Sequence, residues 1–317
     1  MVAYKLLVAG HTCIDIVIVV DKLPDPETST EIVQREERPG GNALNIGVAA
    51  AQLGVDCGIL SLVGRDYEEE CKSILSRWNV RSFLVVHENL PTTRVYAIHD
   101  PTGTRYLVEE GVSMLYEASP FKSLKNMIAT ALEYSTVVHL AAGKPSFHLW
   151  IAREAQRRRR YVVLDPGQEI RSYTAEALKE LLTLGNLLFC NEVEARRIEN
   201  LLGKNIEHLT DFLEAIIVTR GSKGVHIIAD SKKIDACAIP PKQIVNTIGA
   251  GDSFRAGFHA ARSRGLELAE AVIVGIAAAT AHLEQPSIYS HPLRWSYITE
   301  VLTRIDAYQS IARRMLQ

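Results

Sequence analysis

Residues 246–258 read Asn-Thr-Ile-Gly-Ala-Gly-Asp-Ser-Phe-Arg-Ala-Gly-Phe. Gly249 and Gly251 carry no side chain, so their amides can come close to an anion. If the apolar run from Phe254 to Arg262 is helical, those amides stand at a helix N-terminus. Unpaired N–H groups and the positive dipole end suit phosphate there. Asp252 would point into the same space. A carboxylate beside a phosphate-binding turn is unfavourable unless it takes a proton from an attacking hydroxyl. The arrangement therefore reads as phosphoryl transfer to an alcohol. The competing reading is an ordinary helix entry, with Asp252 favoured in the first turn by the dipole. The stretch is not a P-loop, because Gly-x4-Gly-Lys-Ser/Thr is missing. Nor is it a dinucleotide fingerprint, since Phe254 stands where the third glycine belongs.

A second segment runs from Gly40-Gly41-Asn42-Ala43-Leu44-Asn45 through an alanine-rich stretch to Gly54, a plausible helix end. Asn42 and Asn45 are three apart and would share one face of the helix start. Two amides there could grip sugar hydroxyls; equally, Asn42 could cap the helix and Asn45 bond locally.

Together the two segments resemble the signature regions of the ribokinase-like (PfkB) carbohydrate kinase family. The first is similar to its Gly-Gly region before an alanine-rich helix, the second to its Gly-Ala-Gly-Asp region, and they occur in the family's order. Between them, Gly10 to Asp15, Gly64-Arg65-Asp66, Asn191-Glu192-Val193-Glu194 and Thr219-Arg220-Gly221-Ser222-Lys223-Gly224 resemble further family motifs. The resemblance extends from Tyr4 to Pro286.

It implies an ATP-dependent phosphotransferase with Asp252 as base and the amides of Gly249, Ala250 and Gly251 as anion hole. By the same resemblance, Asp15, Gly41, Asn42 and Asn45 would bind the acceptor. Thr219, Gly221, Gly224 and Asn191 would bind the nucleotide, with helix 269–283 beside the adenine. Asn191 and Glu194 would organise Mg2+ through water; on spacing alone, Glu194 could simply complement a helix dipole. Asn246 replaces the family's usual Asp near a monovalent-cation site, which leaves K+ a doubtful cofactor.

Several residues have competing readings. His11, Cys13 and Asp15 alternate, as on one strand face, but three such residues rarely suffice for a metal. Asp165-Pro166-Gly167 could approach the substrate or form a plain turn. Arg255 has no assigned role. Arg94, with Arg35, Arg38 and Arg105 nearby, could clamp a phosphorylated sugar, or could lie on a solvated face. Residues 165–168 and 252–255 look most like archaeal members of the family, several of which act on nucleosides. A nucleoside or pentose acceptor is therefore the first expectation and a phosphorylated sugar the second. An inactive sugar-binding regulatory protein is a further possibility. A dinucleotide-dependent oxidoreductase is disfavoured, because no Gly-x-Gly-x-x-Gly follows the first strand.

These residues need a scaffold, and short Val/Ile/Leu runs alternating with amphipathic stretches describe one. Strands are expected at 5–9, 58–63, 136–140, 161–164, 187–190 and 215–218. Helices are expected at 66–78, 121–132, 146–159 and 175–183. This is an α/β chain, a three-layer αβα sandwich with a mostly parallel central sheet. Asp15, Asn191 and Gly221 follow strands, at the edge where such sheets bind ligands. Segments 14–38 and 92–110 lack helices and read as a small β-sheet lid, with a hairpin turn at Asp100-Pro101-Thr102-Gly103. Excluding water would suppress ATP hydrolysis, and the lid's edges could pair across a homodimer.

The 317 residues suit one ribokinase-like domain spanning 1–317. A net charge of −2 gives no reason to expect a nucleic-acid partner. Arg157 to Arg160 is the one basic run and would close a helix. No apolar run reaches the ~18 residues of a membrane helix, so no membrane partner is expected. The N-terminus lacks a secretory pattern. The five cysteines have no paired spacing. The expectation is a reduced cytoplasm.

Overall fold

The computed structural model describes residues 3–117, 122–229 and 232–315. In chain order the strands are β1 (Lys5–Ala9), β2 (Cys13–Val20), β3 (Ile32–Gly40), β4 (Asp56–Gly64), β5 (Arg81–His87), β6 (Arg94–Asp100), β7 (Gly103–Glu109), β8 (Val137–Leu140), β9 (Tyr161–Leu164), β10 (Leu187–Asn191), β11 (Ala215–Thr219), β12 (Val225–Ala229) and β13 (Lys232–Ala236). The helices are α1 (Asn42–Gln52), α2 (Glu68–Arg77), α3 (Lys122–Tyr134), α4 (Pro145–Arg157), α5 (Ala175–Leu184), α6 (Glu192–Leu202), α7 (Ala250–Ser263), α8 (Leu268–Leu283), α9 (Trp295–Leu302) and α10 (Gln309–Met315).

The large sheet has the order β13-β12-β11-β10-β9-β8-β1-β4-β5. It is parallel from β5 to β11, and β12 runs antiparallel to both its neighbours. Its inner strands β1, β8, β9, β10 and β11 are almost entirely apolar because both faces are covered. On β1, Leu6 and Val8 enter a core shared with α1, α2 and α7 to α10, whereas Leu7 and Ala9 enter one shared with α3 to α6. That is a three-layer αβα arrangement. The six expected strands are present within two residues at each end.

The smaller sheet has the order β3-β2-β6-β7. It contains both segments expected to form a lid. The Asp100–Gly103 turn joins β6 to β7, and Asp100 Oδ1 accepts from the Thr102 amide at 2.9 Å.

The helix expected over 66–78 instead opens as a 3-10 turn at Arg65–Tyr67 and becomes α-helical only from Glu68. The Asp66 carboxylate is drawn away, accepting from the Thr92 amide and hydroxyl at 2.9 Å each. It fixes the entry to β6 rather than starting a helix. The expected start of the next helix, Phe121, lies outside the described residues. Among the described residues, no helix is long and apolar enough to cross a membrane. The five cysteines are free thiols.

Candidate active site

Helices α1 and α7 bring the two motif segments together. Both N-caps are glycines with positive φ, Gly41 at 94° and Gly249 at 88°. A side chain would be strained at either position, and a Cβ on Gly41 would lie 2.4 Å from the His11 carbonyl oxygen. Gly251 and Asp252 therefore sit in the first turn of α7.

Asn42 does not cap α1 with its side chain. Its Nδ2 donates to Asp252 Oδ1 at 2.8 Å, and Asn45 Nδ2 donates to Asp252 Oδ2 at 2.9 Å. The Tyr289 hydroxyl donates to Asn45 Oδ1 at 2.8 Å. Each amide expected to grip hydroxyls thus commits one N–H to the carboxylate, and both asparagines border a cavity that also holds Asp15 and Gly41. Asp252 is buried. Burial pushes its carboxyl above the ordinary carboxylate range, against the pull of the two amides and Arg255.

His282 was not singled out by any motif, yet it pins the loop before Gly249. Its Nε2–H donates to the Ile248 carbonyl at 2.7 Å, so its Nδ1 accepts from the Ser253 hydroxyl at 2.9 Å. Burial lowers its proton affinity and keeps it neutral.

Arg255, unassigned from the sequence, acquires partners here. Its Nη1 donates to the Gly251 carbonyl at 3.0 Å, and its Nη2 to Asp165 Oδ1 at 2.8 Å. Its Nε donates to the other Asp165 oxygen, making a bidentate pair. Asp165 is thus neither a plain turn residue nor free for substrate.

Behind Asp165 lies a buried chain. His139 Nε2 donates to Asp165 at 3.1 Å, His259 Nε2 donates to His139 Nδ1 at 2.9 Å, and Tyr4 donates to His259 Nδ1 at 2.7 Å. This is the donor order that two neutral imidazoles ending on a carboxylate require. Burial lowers the proton affinity of both histidines. Burial alone would raise the Asp165 carboxyl, but Arg255 and His139 outweigh it and hold the group well below the carboxylate range.

Three cavities lie around the start of α7, and Asp252 borders two of them. One of about 490 Å3 is bordered by Thr219, Gly221 and Gly224, by Ile276 and Leu283 of α8, and by Ala250 and Gly251. A second, of about 480 Å3, is bordered by Asp15, Gly41, Asn42, Asn45, Gly249 and Asp252. His11 and Cys13 also face this cavity, with Cys13 Sγ 3.3 Å from Asp15 Oδ1. Among the described residues, no cluster of three or more His, Cys, Asp or Glu side chains could hold a metal. Burial, with Asp252 nearby, pushes the Asp15 carboxyl up to about 6.

The third cavity, about 290 Å3 and polar, joins Asn191 and Glu194 to Asp165, Gly251, Asp252 and Arg255. Asn191 and Glu194 form a reciprocal cap on α6. Asn191 Oδ1 accepts from the amides of Val193 (2.8 Å) and Glu194 (2.9 Å), and Glu194 Oε2 accepts from the Asn191 amide at 2.8 Å.

Arg94 does not join the site. Thr93 and Val95 face the cavity of about 480 Å3, so strand alternation turns Arg94 away. Its Nη2 donates to Asp66 at 2.7 Å. Arg35, Arg38 and Arg105 pair with Glu37, Glu36 and Asp100. Asn246 is also committed: its Oδ1 accepts from the Ile248 amide at 3.0 Å, and its Nδ2 donates to the Pro286 carbonyl at 2.9 Å.

Comparison with known proteins agrees with this architecture. The chain is 31% identical over 306 residues to a nucleoside kinase of Methanocaldococcus jannaschii, covering 95% of this chain and 97% of that protein. It is 32% identical over 269 residues to a nucleoside kinase of Methanothermobacter thermautotrophicus, covering 83% and 84%. The crystal structure of the M. jannaschii nucleoside kinase, an archaeal member of the ribokinase family, superposes with a TM-score of 0.86 at 30% identity, over 96% of this chain and 99% of that one. The profile of the pfkB family carbohydrate kinase spans residues 3–294, and the chain belongs to that family of hydroxyl-directed phosphotransferases.

Proposed function

We propose that this enzyme transfers the γ-phosphoryl group of ATP to a hydroxyl of a nucleoside or pentose-type sugar. The observation that carries the reading is Asp252, gripped through both oxygens by Asn42 and Asn45 where two cavities meet, with a third reaching Ala250 and Gly251 beside it. The acceptor lies against Asp15 and Gly41 with one hydroxyl on Asp252. Asp252 takes that proton as the oxygen attacks, and its burial strengthens it as a base. The amides of Gly249, Ala250 and Gly251, at the start of α7, face the phosphoryl group as its charge redistributes. ATP lies along Thr219, Gly221 and Gly224 with its base beside α8.

The residues near Asn191 suit Mg2+ held through water rather than by a protein cage. Asn191 Oδ1 is spent on two backbone amides, whereas Glu194 has a second oxygen to offer a hydrated ion. The metal would neutralise phosphate charge. No step is assigned to K+, because the Asn246 oxygen already accepts an amide.

The acceptor cavity argues against a phosphorylated acceptor. It presents Asp15, Glu110, Glu169 and Asp252 against only Lys144 and Arg171. Lys144 is itself paired with Glu117 at 3.0 Å. The names of the two nucleoside kinases above point the same way. We further propose that the lid pairs with a second copy.

The test is ADP release from Mg-ATP across nucleosides, free sugars and sugar phosphates, with and without K+. Turnover of nucleosides or ribose is expected; turnover confined to sugar phosphates overturns the acceptor assignment. Asp252→Asn should fold and lose ~10²–10⁴ in kcat, and near-normal turnover would remove Asp252 from the mechanism.

A further inference from the structure

At the amino-terminal edge of the large sheet, away from Asp252, lies a cavity of about 510 Å3. It shares no lining residue with the three cavities around the start of α7. Arg158, Arg159 and Arg160 enter it from the turn after α4, and Arg262 from the last turn of α7. Tyr4, Tyr161 and Phe258 supply aromatic surface.

The positive charge here is not balanced locally. Glu154 is shared by Arg157 and Arg158. Glu214 accepts from the Tyr161 hydroxyl at 2.9 Å. Arg160 Nε donates to the Leu132 carbonyl at 3.0 Å, and Arg262 Nη1 to that of Leu266 at 2.7 Å. Among the described residues, no carboxylate pairs with Arg159, Arg160 or Arg262. The C-termini of α4 and α7 point here, but each supplies only about half a negative charge.

The backbone adds a second observation. Arg159 has φ +55°. The amides of Arg158 and Arg160 both donate to the Ala155 carbonyl, at 3.1 and 2.9 Å, which makes Arg159 the left-handed residue that ends α4. Glycine is the usual residue at such a position. An arginine is held there despite the strain, which points to a use for its side chain.

We propose that this cavity binds a small phosphate ester, with its phosphate on the guanidinium groups and its organic part against Tyr4, Tyr161 and Phe258. Planar guanidinium groups suit phosphate oxygens, and the volume suits a small-molecule site.

The test is equilibrium dialysis with labelled inorganic pyrophosphate against three proteins. These are the wild type, Arg159→Ser/Arg262→Ser, and a control with the same net charge, Arg77→Ser/Lys179→Ser. One class of pyrophosphate site should weaken at least tenfold in Arg159→Ser/Arg262→Ser and stay unchanged in the control. ATP-dependent turnover without added anion should be equal in all three, so failure here is distinct from failure of the kinase reading. Equal binding by the wild type and Arg159→Ser/Arg262→Ser overturns the proposal. An equal loss in the control also overturns it, since the effect would then be general charge.

Discussion

At Asp252, burial disfavours the carboxylate while the amides of Asn42 and Asn45 favour it, and burial prevails. A base with a raised pKa is protonated earlier as pH falls, so kcat should decline on the acid side of neutrality. Asp15 can be tested through stability. Its folded value of about 6 lies above the ~3.9 of an unfolded aspartate. The folded state therefore holds the proton more tightly, and stability falls as pH rises between those values. Asp15→Asn removes that loss. Its melting temperature should exceed the wild type's above pH 6, with the difference closing towards pH 4. A difference independent of pH would refute the shift. Arg255 ties the Gly251 carbonyl to Asp165. Lysine keeps the charge but loses the fork. Arg255→Lys should therefore lower kcat more than tenfold with little change in the KM for ATP. Arg255→Ala, which strands a buried carboxylate, should cost about 3–5 kcal/mol of stability. Unchanged kcat in Arg255→Lys would reduce the residue to a structural one.

In the proposed mechanism two helix N-termini carry the chemistry, and each depends on a glycine that sets its entry angle. Gly41→Ala would bring a Cβ against the His11 carbonyl at a backbone angle that alanine avoids. The start of α1 would shift, taking both amide clamps off Asp252. A displacement of ~1 Å can cost ~100-fold in rate, so kcat should fall by that order while the folded content seen by circular dichroism stays near wild type. Retained kcat would mean that the clamps tolerate movement. These glycines were legible in the sequence because helix starts are local signals, as were the parallel strands, whose two buried faces leave unbroken apolar runs. β5 was not foreseen: it is an outer strand opening with exposed Arg81 and Ser82. Neither were α9 and α10, with 8 and 7 residues, too short for periodicity to speak. The links from His139 to Asp165 and His259 left no local trace, since their partners are 26 and 120 positions away. Arg94 was misleading because a motif locates a residue along a strand without saying which face it takes.

Across the whole molecule, the smaller sheet proposed as a lid gathers exposed apolar side chains on two strands. β7 is exposed along its full length, with Leu107 at 60% and Tyr106 at 58%, and β3 exposes Val33 at 61% and Ile32 at 54%. Both are edge strands of the small sheet. Their unpaired backbone groups and apolar side chains invite another strand or sheet. Tyr106 and Val108 also border the acceptor cavity, so whatever covers β7 would help exclude water from the acceptor. A second lid fits that requirement: it is equally apolar, and a two-fold pairing of identical surfaces closes on itself. The wild type should therefore sediment as a dimer at micromolar concentration. Val33→Glu/Leu107→Glu, which places charge on both edge strands while leaving Tyr106 and Val108 in the cavity wall, should sediment as a monomer with a raised KM for the acceptor and an unchanged KM for ATP. A wild type that remains monomeric at high concentration would leave the lid to act within one chain. A dimer that survives both substitutions would place the contact elsewhere on the molecule.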